Sequence, residues 1–251
     1  MIDVAAPSLG KPQSLRHRLA RQRRINQLLQ EAIQPTPGLV TNLGGLRIAA
    51  RCHSADPQVH IGGDWYLATP LPDGDLVLAV GDVEGRGMRT VESMVGLRYT
   101  AASYAAAGEP PAMILSRLNT LLRHASGAIS ASAVIVRYRP SLGRLVWARA
   151  GHPPMLLSNH RRVVQLPHPR GPLLGMFTHP PYEQHSRHLR IGESIMLYTD
   201  GMIGRGTLEE GVRQLADRLV GVHDPAALLE QLDFHAAPGH DACALIARRT
   251  D

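Results

Sequence analysis

The chain has 251 residues, 44% hydrophobic and 19% charged, which suits one large domain with its own core and excludes both a disordered chain and a coiled-coil rod. Its formal charge is +6, from 27 Lys+Arg against 21 Asp+Glu, with Lys11 the only lysine. Nucleic-acid binding is not favoured, because the one dense basic run is Arg16, Arg18, Arg21, Arg23 and Arg24, and aromatics for base stacking make up only 4% of the chain.

Residues 1–13 carry Pro, Gly and Ser without periodicity and read as a flexible tail lacking the charged-then-apolar order of a signal peptide. A basic amphipathic helix is predicted over 14–37, where Ile25, Leu28, Leu29, Ala32 and Ile33 form one stripe that Pro35 ends. Beyond it the pattern turns to short β runs over 45–55, 64–71 and 75–82, the last two joined by a Pro72-Asp73-Gly74 turn. Two helices follow, one carrying Val91, Met94, Val95, Ala101, Ala102 and Ala105, the other starting behind Pro110-Pro111 with Ile114, Leu115, Leu118, Leu121 and Leu122.

Strands return over 131–139 and 144–151, then over 155–158, 162–166, 183–190 and 194–200. A capping box at Thr207 and Glu210 opens a further helix, Asp224 with Pro225 opens another, and a closing strand covers 242–248. Many meandering strands around two helical pairs predict an α+β fold rather than a parallel βαβ series. No apolar stretch nears the roughly 18 residues of a membrane span, so no membrane association is expected. Cys52 and Cys243 lie far apart without a CxxC spacing, which argues against a disulfide and fits a reducing cytoplasm, with both thiols buried and inert.

The few aspartates stand at strand ends beside turn-formers. Asp64 follows Gly62-Gly63, Asp82 ends an apolar run, Asp200 precedes Gly201, and Asp241 opens the last strand. Taken singly, each reads as a turn residue; together they would also converge as oxygen ligands for a hard cation such as Mg²⁺ or Mn²⁺. Both readings stay open on the residues alone.

Six segments carry a resemblance: Gly62-Gly63-Asp64-Trp65-Tyr66, Gly81-Asp82-Val83-Glu84-Gly85-Arg86-Gly87, Arg117-Leu118-Asn119, Ala150-Gly151-His152-Pro153-Pro154, Gly171-Pro172-Leu173-Leu174-Gly175 and Leu197-Tyr198-Thr199-Asp200-Gly201. In this order they resemble the SpoIIE-like (RsbU-type) serine phosphatases, the bacterial branch of the metal-dependent type 2C protein phosphatases. The similarity runs from about Gln30 to Arg248, so 38–251 is expected to be the phosphatase domain, a β-sandwich of two antiparallel sheets flanked by helices.

The resemblance further implies two Mn²⁺ or Mg²⁺ ions and hydrolysis of a phosphoserine or phosphothreonine ester by a metal-activated water. Asp82 would bridge the metals beside the Val83 carbonyl, Asp200 would hold the first, and Asp64 would hold the second directly or through water. The substrate would be an anti-anti-sigma (STAS) regulator in partner-switching signalling, and the N-terminal helix would either pack on the domain or pair in a homodimer.

Where the family has an Asp-Asp pair, this chain has His240-Asp241, so either His240 takes the ligand's place, or a one-residue shift brings in Asp241, or the site is impaired. A catalytically impaired, partner-binding module is therefore the alternative function. Leu67 replaces another usual Asp, and Glu84 adds a carboxylate beside Asp82. His152 reads as a turn histidine, with proton donation to the leaving alkoxide as the alternative. Asn119, unfavourable inside a helix, is expected to bond a neighbouring loop and so to position the helix pair behind Asp82.

Overall fold

The computed structural model describes residues 39–55, 61–124, 129–159, 162–204, 206–221, 223–235, 237 and 239–251. The basic helix expected over 14–37, and dimerisation through it, lie outside them.

Two antiparallel sheets stack face to face. The six-stranded sheet runs β1 (Leu39–Leu43), β2 (Leu46–His53), β11 (Ala242–Arg249), β10 (Ser194–Tyr198), β7 (Leu156–Ser158) and β8 (Val163–Gln165). The five-stranded sheet runs β3 (Trp65–Pro70), β4 (Leu76–Val83), β5 (Ala131–Arg139), β6 (Arg144–Ala150) and β9 (Gln184–His188). Helices α1 (Met88–Ala106) and α2 (Pro111–His124) cover the smaller sheet, while α3 (Leu208–Leu219) and α4 (Pro225–Gln231) cover the larger. Strand β1 is not among the elements expected from sequence; within the described residues the predicted strands and helices form with their ends moved by a few residues.

Alternation of side chains explains the layering. In β4, Leu76, Leu78 and Val80 enter the core between the sheets, while Val77, Ala79 and Val83 meet α1 and α2. In β11, Cys243, Leu245 and Ala247 face the other sheet, and Ala242, Ala244 and Ile246 face α3 and α4. Both faces of these strands are buried, which is why they read as unbroken apolar runs.

Thr207 caps α3 by accepting the Glu210 N–H at 3.2 Å. Asp224 makes no side-chain cap on α4 and pairs with Arg47 at 2.8 Å instead.

The cysteines overturn the expectation of two separate thiols. Cys243 stands opposite Cys52 in the β11–β2 register, and a disulfide joins them with Cα atoms 4.0 Å apart. They are 191 residues apart in sequence, so no spacing rule could find the pair; the register of a near-first strand with the last one makes it.

Candidate active site

Strands of both sheets end together at one edge of the sandwich, and there the inward-facing positions change from apolar to polar. One step beyond the core residues Val80, Tyr66, Val134 and Leu197 come Asp82, Asp64, Ser132 and Thr199 on the same strand parity. Asp241 and Ser54 hold the equivalent places beyond Cys243 and Cys52. The result is a cleft of about 920 Å³, lined by Asp64, Asp82, Val83, Glu84, Asp200, His240 and Asp241 together with Arg86, Ser132, Arg149 and His152.

Close backbone approach explains the paired glycines. A Cβ on Gly63 would lie 2.2 Å from the Val83 carbonyl oxygen, and one on Gly62 would lie 1.6 Å from an Asp241 carboxylate oxygen. The Gly63 N–H donates to Asp241 Oδ2 at 2.9 Å, and the Val83 N–H donates to the Gly63 carbonyl at 3.2 Å. Asp241 also accepts from Ser54 Oγ at 3.2 Å and from the Ala55 N–H at 2.8 Å, both on Oδ1.

Asp64 is 4% exposed and accepts the Thr199 hydroxyl at 2.7 Å. Burial holds its carboxyl well above the usual range, the charges of Asp82 and Asp241 push it further up, and the Thr199 hydroxyl opposes them. Asp82 is pushed up to about 6, first by burial and then by Asp200 and Asp241, against the pull of Asp64 and His240. Asp200 lies exposed in a 3-10 turn after β10.

The donors present are hard oxygens from four carboxylates and one main-chain carbonyl, and burial followed by the neighbouring carboxylates raises the proton affinity of two of them, Asp64 and Asp82. A divalent cation fits this set, since it would relieve the repulsion between the carboxylates. Among the described residues no group of three or more His, Cys, Asp or Glu side chains is placed so as to hold a metal ion by itself. Mg²⁺ keeps several waters and needs only one or two direct carboxylates, so an open arrangement suits it.

His240 is exposed on the rim, its N–H donating to the Ala237 carbonyl at 3.1 Å. Glu84 is also exposed; its N–H donates to the Ser130 carbonyl at 2.9 Å and its carboxylate accepts a short bond from Ser130 Oγ. His152 is buried with Nδ1 2.9 Å from Ser132 Oγ, and burial followed by the Arg149 cation pushes it down to about 3. It is therefore a neutral imidazole at physiological pH.

Asn119 lies away from the cleft on α2. It accepts the Gly175 N–H at 2.9 Å and donates to the Phe177 carbonyl at 3.0 Å, pinning the loop whose Leu174 bonds Ala131 beside Val83.

Sequence reasoning missed Thr199, Ser54 and Arg86 as site residues. Arg86 reaches across the cleft to the Gly239 carbonyl at 2.7 Å. The signal for Thr199 was present in the alternation of β10, whose inward parity ends on a polar residue.

The family model described as Stage II sporulation protein E (SpoIIE) matches residues 72–250. Phosphoserine phosphatase RsbU of Bacillus subtilis (strain 168) is 24% identical over 148 residues, which are 58% of this chain and 44% of that protein. The RsbU and RsbW domains of a Mycobacterium tuberculosis protein share the fold with a TM-score of 0.75 at 27% identity, over 86% of this chain and 62% of that one. The SiaA-PP2C domain of Pseudomonas aeruginosa gives 0.71 at 22% identity, over 95% and 99%. RsbX solved in complex with magnesium gives 0.68 at 17% identity, over 84% and 98%. The chain thus spans less than half the length of the curated relative and under two thirds of the mycobacterial structure.

Proposed function

The chain belongs to the SpoIIE family, and from that premise we propose that it is a metal-dependent protein serine/threonine phosphatase that hydrolyses a phosphoserine or phosphothreonine ester. The observation that carries this reading is the neighbouring carboxyls of Asp64 and Asp82, set with Asp200, Asp241 and the Val83 carbonyl around one cleft. Relatives named as a phosphoserine phosphatase and as a magnesium complex support both the reaction and the metal. For the substrate, the likeness to RsbU supports an anti-anti-sigma (STAS) protein in a partner-switching pathway, which would place the work in the cytoplasm.

Two Mn²⁺ or Mg²⁺ ions are the cofactors proposed. When bound, they would lower the pKa of a coordinated water and neutralise charge on the phosphoryl oxygens. Asp82 and the Val83 carbonyl would hold them together with Asp200, and Asp64 would hold the second. Burial keeps Asp64 and Asp82 protonated to a higher pH than ordinary carboxyls, so these residues trade a proton for the cation.

Asp241, with three donors on its two oxygens, fastens the Gly62-Gly63 turn and so sets the height of Asp64. His240 takes the outward place at the fourth corner, and its imidazole suits Mn²⁺ better than Mg²⁺. His152 holds Ser132 and the turn after β6. Arg86 ties the β4–α1 loop to the turn before β11.

The test is hydrolysis of a phosphoserine protein and of p-nitrophenyl phosphate with added Mn²⁺, comparing wild type with Asp82→Asn and Asp200→Asn. Turnover lost in both variants supports the enzyme. The His240 substitution favours a second reading, an impaired module that binds a partner without turnover, and absence of activity with every divalent metal would sink the enzyme reading in its favour.

A further inference from the structure

The disulfide between Cys52 and Cys243 stands next to the carboxylate cleft and is joined to it on both sides. Cys243 grips Thr199 with both main-chain groups, its N–H donating to Thr199 Oγ1 at 2.8 Å and its carbonyl accepting the Thr199 N–H at 2.9 Å. The same Thr199 hydroxyl donates to Asp64. On the other strand, Ser54 and Ala55, just beyond Cys52, donate to Asp241. One covalent bond therefore links the supports of two carboxylates that lie on different segments.

Its place in the ladder matters. The β2–β11 pairing ends at His53 opposite Ala242, and the cysteines are the next pair inward. Strand ends open more readily than strand middles, because their last pair is held from one side only. A bond one step from the end holds that end shut, while the seven other residue pairs of the register keep the strands together without it.

We propose that Cys52–Cys243 is a thiol–disulfide modification site that sets the metal affinity of the cleft, the closed bond giving the tighter centre. This rests on the reading of the carboxylates as a metal centre and adds a control of that centre's affinity. The chain holds two cysteines, so the bond within one molecule can only be this one.

The reaction partner is a low-molecular-weight disulfide. Cys52, which is partly buried while Cys243 is fully so, is the point of entry. Its thiolate attacks one sulfur of the small disulfide and expels a thiolate; the Cys243 thiolate then attacks Cys52 Sγ of the mixed disulfide and expels the second. Two protein thiols lose two electrons and two protons, and the small disulfide becomes two thiols. Excess small thiol reverses each step.

The experiment uses the whole chain, prepared with excess dithiothreitol or with excess glutathione disulfide and then freed of it. Intact mass reports the bond as a loss of two hydrogens, and calorimetric titration with Mn²⁺ reports the affinity. The oxidised form is expected to bind Mn²⁺ about tenfold more tightly than the reduced form, the usual scale for groups that orient metal ligands. Cys52→Ser is expected to bind like the reduced form under both treatments.

Equal affinities in two forms that differ by two hydrogens would overturn the proposal, as would an unchanged mass after oxidation. Should Cys52→Ser fold poorly, the two forms of the wild type still decide. Failure of the underlying reading looks different: Mn²⁺ then binds neither form, or binds both equally in wild type and Asp82→Asn, and the proposal falls with it.

Discussion

Replacing Asp82 by asparagine should stabilise the metal-free protein while abolishing its activity. The Asp82 carboxyl rises from 3.8 to about 6 in the fold. A group raised on folding gives stability that is full below its unfolded value and is lost as pH climbs through the folded one. The loss therefore falls between about pH 4 and pH 6, and a rise of that size corresponds to about 3 kcal/mol. The asparagine side chain keeps the shape without the charge, so at neutral pH the variant escapes that cost. For a chain of this size, 3 kcal/mol is about 6–12 °C in melting temperature.

The assay is thermal melting in EDTA at pH 4 and pH 7.5 for wild type and Asp82→Asn, repeated with Mn²⁺. On going from pH 4 to 7.5 the wild type should lose about 3 kcal/mol relative to the variant. Mn²⁺ should raise the melting temperature of the wild type and leave the variant nearly unmoved. A wild type that stays level with the variant across this range would refute the crowded-carboxylate account, whatever the activity of either protein.

Thr199→Val removes the donor to Asp64 and the acceptor for the Cys243 N–H, leaving a buried amide unpaired; a loss of about 1–3 kcal/mol in denaturant melts is expected, with weaker Mn²⁺ binding by calorimetry. Gly63→Ala places a Cβ against the Val83 carbonyl, and the clash should lower stability by about 1–3 kcal/mol and reduce Mn²⁺ affinity, read by the same two methods. His240→Asp restores an oxygen donor at the rim, so the concentration of Mg²⁺ giving half-maximal phosphatase activity should fall while that of Mn²⁺ changes less.

Much of this molecule can be read from local chemistry. Alternating and continuous apolar runs mark the strands because side-chain direction reverses at every residue, and turn-formers such as Pro72-Asp73-Gly74 mark their ends. Asp64, Asp82, Asp200 and Asp241 stand out for the same reason, each polar where an apolar run stops or starts. The ordered segments around them also carry the family resemblance. The paired glycines, by contrast, are ordinary turn residues until the Val83 carbonyl and the Asp241 carboxylate are seen against them.

Tertiary structure alone decided which inward positions meet. Ser54, Thr199 and Asp241 are neighbours because β2, β10 and β11 lie side by side, although they come from distant parts of the chain. The same pairing assigns Asp241 three donors and leaves His240 on the rim, where sequence offered both as candidates. It also turns two cysteines, read as isolated thiols, into one bond across 191 residues. Local patterns record which face a residue takes and where a strand stops, but strand order and register are set by long-range packing, and no neighbour in sequence reports them.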